Sequence, residues 1–264
     1  VGGGFIGLEF AQMFARFGSQ VILLEAGETF APALDSDIAT RVRGMLEGEG
    51  ITVVTGAQVT SFDDAGDHVD IVTGDRTFAA DAVLVAAGRR PATEDLNLAA
   101  AGVATDERGY IIVDDQLRTN VEGVYAVGDV NGGPQFTYVS LDDNRVLWDT
   151  LHDGPRRRDD RVGVPATTFL EPPLSQVGMT MRQARESGRS VLVATKDVAA
   201  IAAMPRPKIV GQTEGVIRVF VDADDHTILG ATLWCIDSQE LVNLVSLAMR
   251  LGARYETLRD GIWT

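Results

Sequence analysis

The sequence predicts an α/β protein, and three observations carry that prediction. The chain opens on Gly2, Gly4 and Gly7, a G-x-G-x-x-G that runs straight into helical spacing. Helix-like and strand-like runs then alternate up to about residue 90, the pattern of a sheet wound with helices. From Val164 onward, four strand-like runs and two helix-like runs form a separate unit.

Taken in order, Ile6, Phe10, Met13, Phe14 and Phe17 recur at helical spacing, and Gly18 can end that helix. Residues 20–24 read as a strand. Asp35 can cap a second helix that carries Ile38, Val42, Met45 and Leu46 on one face and stops at Gly50. Residues 51–54 are strand-like. Three short alternating pieces at 58–62, 68–72 and 76–79 suit an antiparallel meander. Residues 81–88, Asp-Ala-Val-Leu-Val-Ala-Ala-Gly, read as a returning buried strand. A second short buried strand is expected at 123–129, followed by a helix over 136–152. The third unit is expected to have strands at 166–169, 190–195, 215–221 and 227–234, and helices at 180–187 and 238–251. The last helix is apolar over most of its circumference, so it needs cover on several sides. Burial within its domain is the first expectation and a subunit interface the second.

Composition narrows the function. The chain has 264 residues, 45% hydrophobic and 23% charged, and a net charge of −15. That charge disfavours nucleic acid and anionic membranes as partners. No apolar run approaches the ~18 residues of a membrane span. Cys235 is the only cysteine, and its apolar neighbours Leu233, Trp234 and Ile236 mark it as a buried structural thiol. His68, His152 and His226 lack ligand spacing, so no metal site is expected.

The glycine motif is where chemistry enters. Gly2 permits the tight turn, Gly4 lets the backbone approach a pyrophosphate, and Gly7 lets the helix pack closely. The helix N-terminus supplies free N–H groups for phosphate. Phe5 and Ile6, inside the motif, share that contact. Glu25 ends the next apolar run, where it can accept hydrogen bonds from ribose hydroxyls. No basic residue lies between Ala26 and Pro32 to meet a 2′-phosphate, so NADH is expected over NADPH. Such a motif should close a buried strand of about five apolar residues, and only Val1 precedes it. The chain is therefore expected to be the C-terminal part of a larger protein. Asp129 can accept from a sugar-like hydroxyl beyond a strand end, or satisfy its own turn.

The motif is joined by Glu25, by Ala87-Gly88-Arg89-Arg90-Pro91, by Thr119 leading to Tyr125-Ala126-Val127-Gly128-Asp129, and by Pro172-Pro173-Leu174-Ser175-Gln176-Val177-Gly178. This series resembles the class I pyridine nucleotide-disulfide oxidoreductases, the family of dihydrolipoamide dehydrogenase, glutathione reductase and mercuric reductase. Gln135-Phe136 with Tyr138 is similar to mercuric reductases. The longer string 132–143, with Cys235-Ile236-Asp237-Ser238, is most similar to the reactive-chlorine-resistance flavoproteins that reduce copper(II) with NADH.

The resemblance implies three regions: an NAD(P)-binding domain at 1–90, the C-terminal part of an FAD-binding domain at 91–162, and an α+β dimerisation domain at 163–264. It implies an FAD enzyme, homodimeric and cytoplasmic, that passes electrons from NADH to a disulfide, a small molecule or a metal ion. It places Val59 at a backbone contact to adenine, Gly88 near the nicotinamide end, and Glu9 close to flavin and nicotinamide. It places Asp129 on the FAD ribityl chain and Thr137 at a backbone contact to FAD. The family's redox disulfide and acid–base histidine fall outside the chain, so no catalytic residue is assigned and the isolated chain is expected to be inactive. The alternatives are a nucleotide-binding, dimerising fragment without turnover, or a dihydrolipoamide dehydrogenase-like reductase.

Overall fold

A computed structural model describes residues 1–74 and 76–263; Asp75, and Thr264 at the end of the third expected region, lie outside the described residues. The chain divides into two units, Val1–Gly88 with Val162–Thr264, and Arg89–Arg161.

The first unit opens with α1 (Phe5–Arg16), β1 (Ile22–Leu24), α2 (Ser36–Gly48) and β2 (Thr52–Val54). Strands β1 and β2 pair in parallel, with Ile22 opposite Thr52. The meander follows as β3 (Val59–Asp64), β4 (Val69–Thr73) and β5 (Thr77–Ala80), in the order β3-β4-β5. After residue 162 come β6 (Pro165–Thr168), β7 (Leu174–Gly178), α4 (Met181–Glu186), β8 (Val191–Asp197), α5 (Pro205–Ile209), β9 (Val216–Asp222), β10 (Ile228–Trp234), α6 (Ser238–Arg250) and α7 (Tyr255–Arg259). Their five strands make one antiparallel sheet, β6-β7-β10-β9-β8. Strand β7 and the short helices α5 and α7 carry too few residues to show a period, and the sequence reading did not anticipate them. In the second unit α3 (Thr137–Leu151) matches the expected helix within a residue at each end.

The two sequence-distant parts of the first unit share one core. Leu8, Leu23, Ile38, Val42 and Leu46 from the start pack with Leu170, Leu174, Val216 and Trp234 from the end. Polar ties reinforce it. The Gln12 side chain donates to the Glu171 carbonyl at 3.1 Å and accepts the Glu171 N–H at 2.7 Å. Arg218, 4% exposed, joins Asp35 at 2.7 Å, Asp37 at 2.5 Å and Thr195 at 2.9 Å.

Four expectations need correction. Residues 81–88 are not a buried strand. Their neighbour along this edge is Val1, whose amino group donates to the Leu84 carbonyl and whose carbonyl accepts the Ala86 N–H. Two hydrogen bonds to one residue make no ladder, and Leu84 and Val85 are exposed. Residues 123–129 form a single bridge, Tyr125 to Arg118, and then a 3-10 turn, Gly128–Asn131. Asp35 precedes α2 but does not cap it with its side chain. Its carboxylate is drawn away by Arg218 and by the Met181 N–H at the start of α4. Finally, α6 is covered on one side only. Val242 packs into a cluster with Val177, Ala231, Leu233 and Cys235, while Leu241, Leu247 and Leu251 are exposed.

Candidate functional site

The glycine turn sits where the chain passes between two neighbours. Val1 lies against Leu84 and Ala86, and the Gly2 N–H reaches the Leu24 carbonyl at 2.8 Å. Gly2 has φ +101°, and a Cβ there would lie 2.4 Å from the Ala86 carbonyl oxygen. A Cβ on Gly7 would lie 1.8 Å from the Gly2 carbonyl oxygen. Neither position accepts a side chain. Gly4 differs: apart from its chain neighbours, no atom of the described residues lies within 4 Å of its missing Cβ, so the space over it is open.

Gly4 is also the N-cap of α1 and brings no side-chain cap, and the first turn carries no acidic residue. Leu8 makes the first return bond, to the Gly4 carbonyl. The N–H groups of Phe5, Ile6 and Gly7 therefore have no partner within the helix. Donors without a partner among the described residues and the positive end of a helix dipole, below open space, fit a phosphate group.

Glu25 closes the other side. Its carboxylate accepts the Gly3 N–H at 2.6 Å and the Gly27 N–H at 2.8 Å. Its own N–H donates to the Val54 carbonyl, and its carbonyl accepts the Ala57 N–H. The chain is thus pinned on both sides, and the carboxylate stands beside the glycine turn with lone pairs to spare. That arrangement fits a vicinal diol. Val59 opens β3, with its side chain against Leu24, Ala57 and Ile71. Gly88 is exposed, with open space around its missing Cβ. Glu9, one turn along α1, accepts the Phe169 N–H at 2.8 Å.

In the second unit, Asp129 stands in the Gly128–Asn131 turn. Its side chain is 48% exposed and meets Arg89 at 3.1 Å. It does not bond its own turn, so it has acceptor capacity for a sugar-type hydroxyl. Thr137 is the first residue of α3, and the first turn of that helix has no side-chain cap. The sequence reading did not single out Asp143, which is buried and bonds the Gly128 N–H. Its signal was weak: an Asp pair in a polar helix reads as a solvated face.

Cys235 is fully buried, and burial with the nearby Asp237 pushes its thiol up to about 12. His68, His152 and His226 pair with Asp67, the Trp148 carbonyl and Glu256 respectively. Among the described residues no cluster of His, Cys, Asp or Glu could hold a metal ion, and no helix is long and apolar enough to cross a membrane.

The comparisons with known proteins agree on one family. The pyridine nucleotide-disulphide oxidoreductase family matches residues 1–143, and its dimerisation domain matches residues 164–264. A probable pyridine nucleotide-disulfide oxidoreductase of Escherichia coli K12, RclA, is 46% identical over 265 residues, covering 100% of this chain and 59% of that protein. A mercuric reductase of Lysinibacillus sphaericus is 33% identical over 264 residues, covering 98% of this chain and 48% of that protein. Among solved structures, the Cu(II) complex of the HOCl-induced flavoprotein disulfide reductase RclA from Escherichia coli superposes with a TM-score of 0.94 at 45% identity. It is matched over 100% of this chain and 59% of its own. The chain thus spans between about half and three-fifths of the length of these relatives.

Proposed function

The chain belongs to the pyridine nucleotide-disulphide oxidoreductases, and from that premise we propose that it serves a flavin-dependent oxidoreductase. Electrons would pass from NADH through FAD to a disulfide or to a metal ion of the copper(II) or mercury(II) kind. The observation that carries this reading is the cradle itself: open space over Gly4, beneath it an uncapped helix N-terminus, and beside it the Glu25 carboxylate.

In this reading the N–H groups of Phe5, Ile6 and Gly7 hold the pyrophosphate. Glu25 accepts from the adenosine ribose hydroxyls and repels a 2′-phosphate, which favours NADH over NADPH. Val59 flanks the adenine, Gly88 leaves room toward the nicotinamide, and Asp129 and Thr137 contact the FAD chain. Glu9, whose carboxylate accepts the Phe169 N–H, approaches the flavin and the nicotinamide. Bound FAD supplies the relay that converts a two-electron hydride donor into a reductant for the acceptor. The protein's share is to bind and orient each cofactor.

The copper(II) complex solved for the Escherichia coli relative supports a metal-ion acceptor here. The matched dimerisation domain and the uncovered leucines of α6 support a homodimer. Three domains at 1–90, 91–162 and 163–264, and a cytoplasmic location, complete the proposal.

The test is a steady-state assay of the full-length protein with NADH or NADPH against copper(II), mercury(II) and a disulfide. The expected result is turnover with NADH and at least one of these acceptors, and a clear preference over NADPH. Equal use of NADPH would remove the role given to Glu25. No turnover with any acceptor would remove the function.

A further inference from the structure

We propose that Asp143 is a positioning residue for the flavin side of the reaction: its buried carboxylate holds the turn that presents Asp129. The proposal rests on the reading above, in which Asp129 binds the sugar-alcohol chain of FAD.

Asp143 lies on the inner side of α3 and is 1% exposed. Its Oδ2 accepts the Gly128 N–H at 2.7 Å and the Asn131 Nδ2–H at 2.9 Å. Gly128 and Asn131 are the first and last residues of the 3-10 turn. One oxygen therefore holds both ends of that turn. The other oxygen, Oδ1, faces the Arg161 guanidinium, which also binds Asp142 at 2.7 Å. A buried carboxylate is tolerable only when paired in this way.

The clamp extends beyond the carboxylate. The Asn131 Nδ2 also reaches the Ala126 carbonyl at 3.3 Å, and its Oδ1 accepts the Gly133 N–H at 3.0 Å. Gly128 has φ +73°, and a Cβ there would come within 3.1 Å of the Ser140 Oγ on α3. The turn is seated directly on the helix, and a side chain at Gly128 would crowd Ser140 at a backbone angle that favours glycine.

The Asp129 backbone helps close the clamped turn, its carbonyl accepting the Gly132 N–H, but its side chain takes no part in holding it. Its carboxylate is half exposed and meets only the Arg89 guanidinium among the described residues. Holding and presenting are thus divided between two carboxylates. A short polar side chain in a turn normally spends its acceptors on its own backbone. Here Asp143 relieves Asp129 of that task, which leaves Asp129 available to a ligand hydroxyl.

Replacing Asp143 by Asn keeps the shape and one acceptor. It also turns an NH2 group toward Arg161 or toward the donors of the turn, and it removes the charge. The experiment uses the full-length flavoprotein and its variants Asp143→Asn, Asn131→Ala, Asp142→Asn and Asp129→Ala. FAD dissociation constants are measured by recovery of flavin fluorescence, alongside KM for NADH and thermal melts. Asp143→Asn is expected to weaken FAD about tenfold, as loss of a charged hydrogen-bonding group does, with KM for NADH unchanged. Asn131→Ala removes one leg of the clamp and is expected to weaken FAD less. Asp142→Asn takes a carboxylate from Arg161 but not from the turn, and is expected to leave FAD affinity unchanged.

Equal weakening in Asp142→Asn and Asp143→Asn would mean general damage and would overturn the proposal. So would wild-type FAD affinity in Asp143→Asn when Asp129→Ala weakens FAD. If Asp129→Ala leaves FAD affinity intact, the reading of Asp129 falls first, and the positioning role falls with it.

Discussion

At the residue scale, the site depends on a few atoms whose replacement has a calculable effect. A methyl group on Gly7 would overlap the Gly2 carbonyl oxygen, and backbone cannot yield as a flexible side chain can. Gly7→Ala is expected to abolish NADH binding, read by titration of nucleotide fluorescence. Glu25→Ala removes two backbone N–H partners and the proposed diol acceptor. A charged hydrogen bond contributes about 1.5–3 kcal/mol, so KM for NADH should rise by tenfold or more while discrimination against NADPH falls. An unchanged NADH-to-NADPH ratio would show that Glu25 does not read the ribose. Cys235 makes a contrasting prediction. With its thiol pushed up to about 12 by burial, almost none is thiolate at neutral pH, and thiolate is the nucleophile. Alkylation of the folded protein at this residue should be negligible by mass spectrometry, and rapid once it is denatured.

At the scale of elements, the buried junction between α2 and β9 organises the first unit. Arg218 is shared by Asp35 and Asp37. Removing one partner of a buried pair typically costs about 3–5 kcal/mol. Arg218→Met should therefore lower the melting temperature sharply, and a shift under one degree would contradict the role. The same junction has a pH signature. The bond from Arg218 holds the Asp37 carboxyl below its usual range, against a smaller opposing effect of burial. A carboxylate depressed in the folded state adds stability that is present above its unfolded value, about 3.9. That stability is lost as pH falls toward the lower folded value. Melts of Asp37→Asn should fall less steeply than wild type on acidification below about pH 4. The junction also shows the limit of sequence reading. Helices α1, α2, α3 and the meander β3-β4-β5 were legible because their signals are periodic and local. The segments 81–88 and 123–129 have the composition of buried strands, yet strand formation depends on neighbours that composition does not report. Asp35 carries a local capping signal and is diverted by Arg218, more than 180 residues away. Asp143 was invisible for the same reason, since its partners Gly128, Asn131 and Arg161 lie 12 to 18 residues off.

At the scale of the whole molecule, the proposed homodimer would set a second copy against the uncovered face of α6, within the matched dimerisation domain. Leu241, Leu247 and Leu251 are exposed on a helix whose opposite face is packed. A Leu247→Glu variant should shift the full-length protein toward monomer in analytical ultracentrifugation, with its NADH affinity retained. The glycine motif and Glu25 were legible in the sequence because nucleotide cradles use short, contiguous residue patterns. The apolar character of α6 was legible too, but an apolar helix does not state what covers it. In the proposed function, NADH delivers electrons to a flavin held by this protein. The most direct measurement is anaerobic mixing of the full-length protein with NADH while the flavin absorbance is followed. The expected result is rapid bleaching of the bound flavin by NADH and much slower bleaching by NADPH. A protein that binds no flavin, or whose flavin stays oxidised under excess NADH, would contradict it.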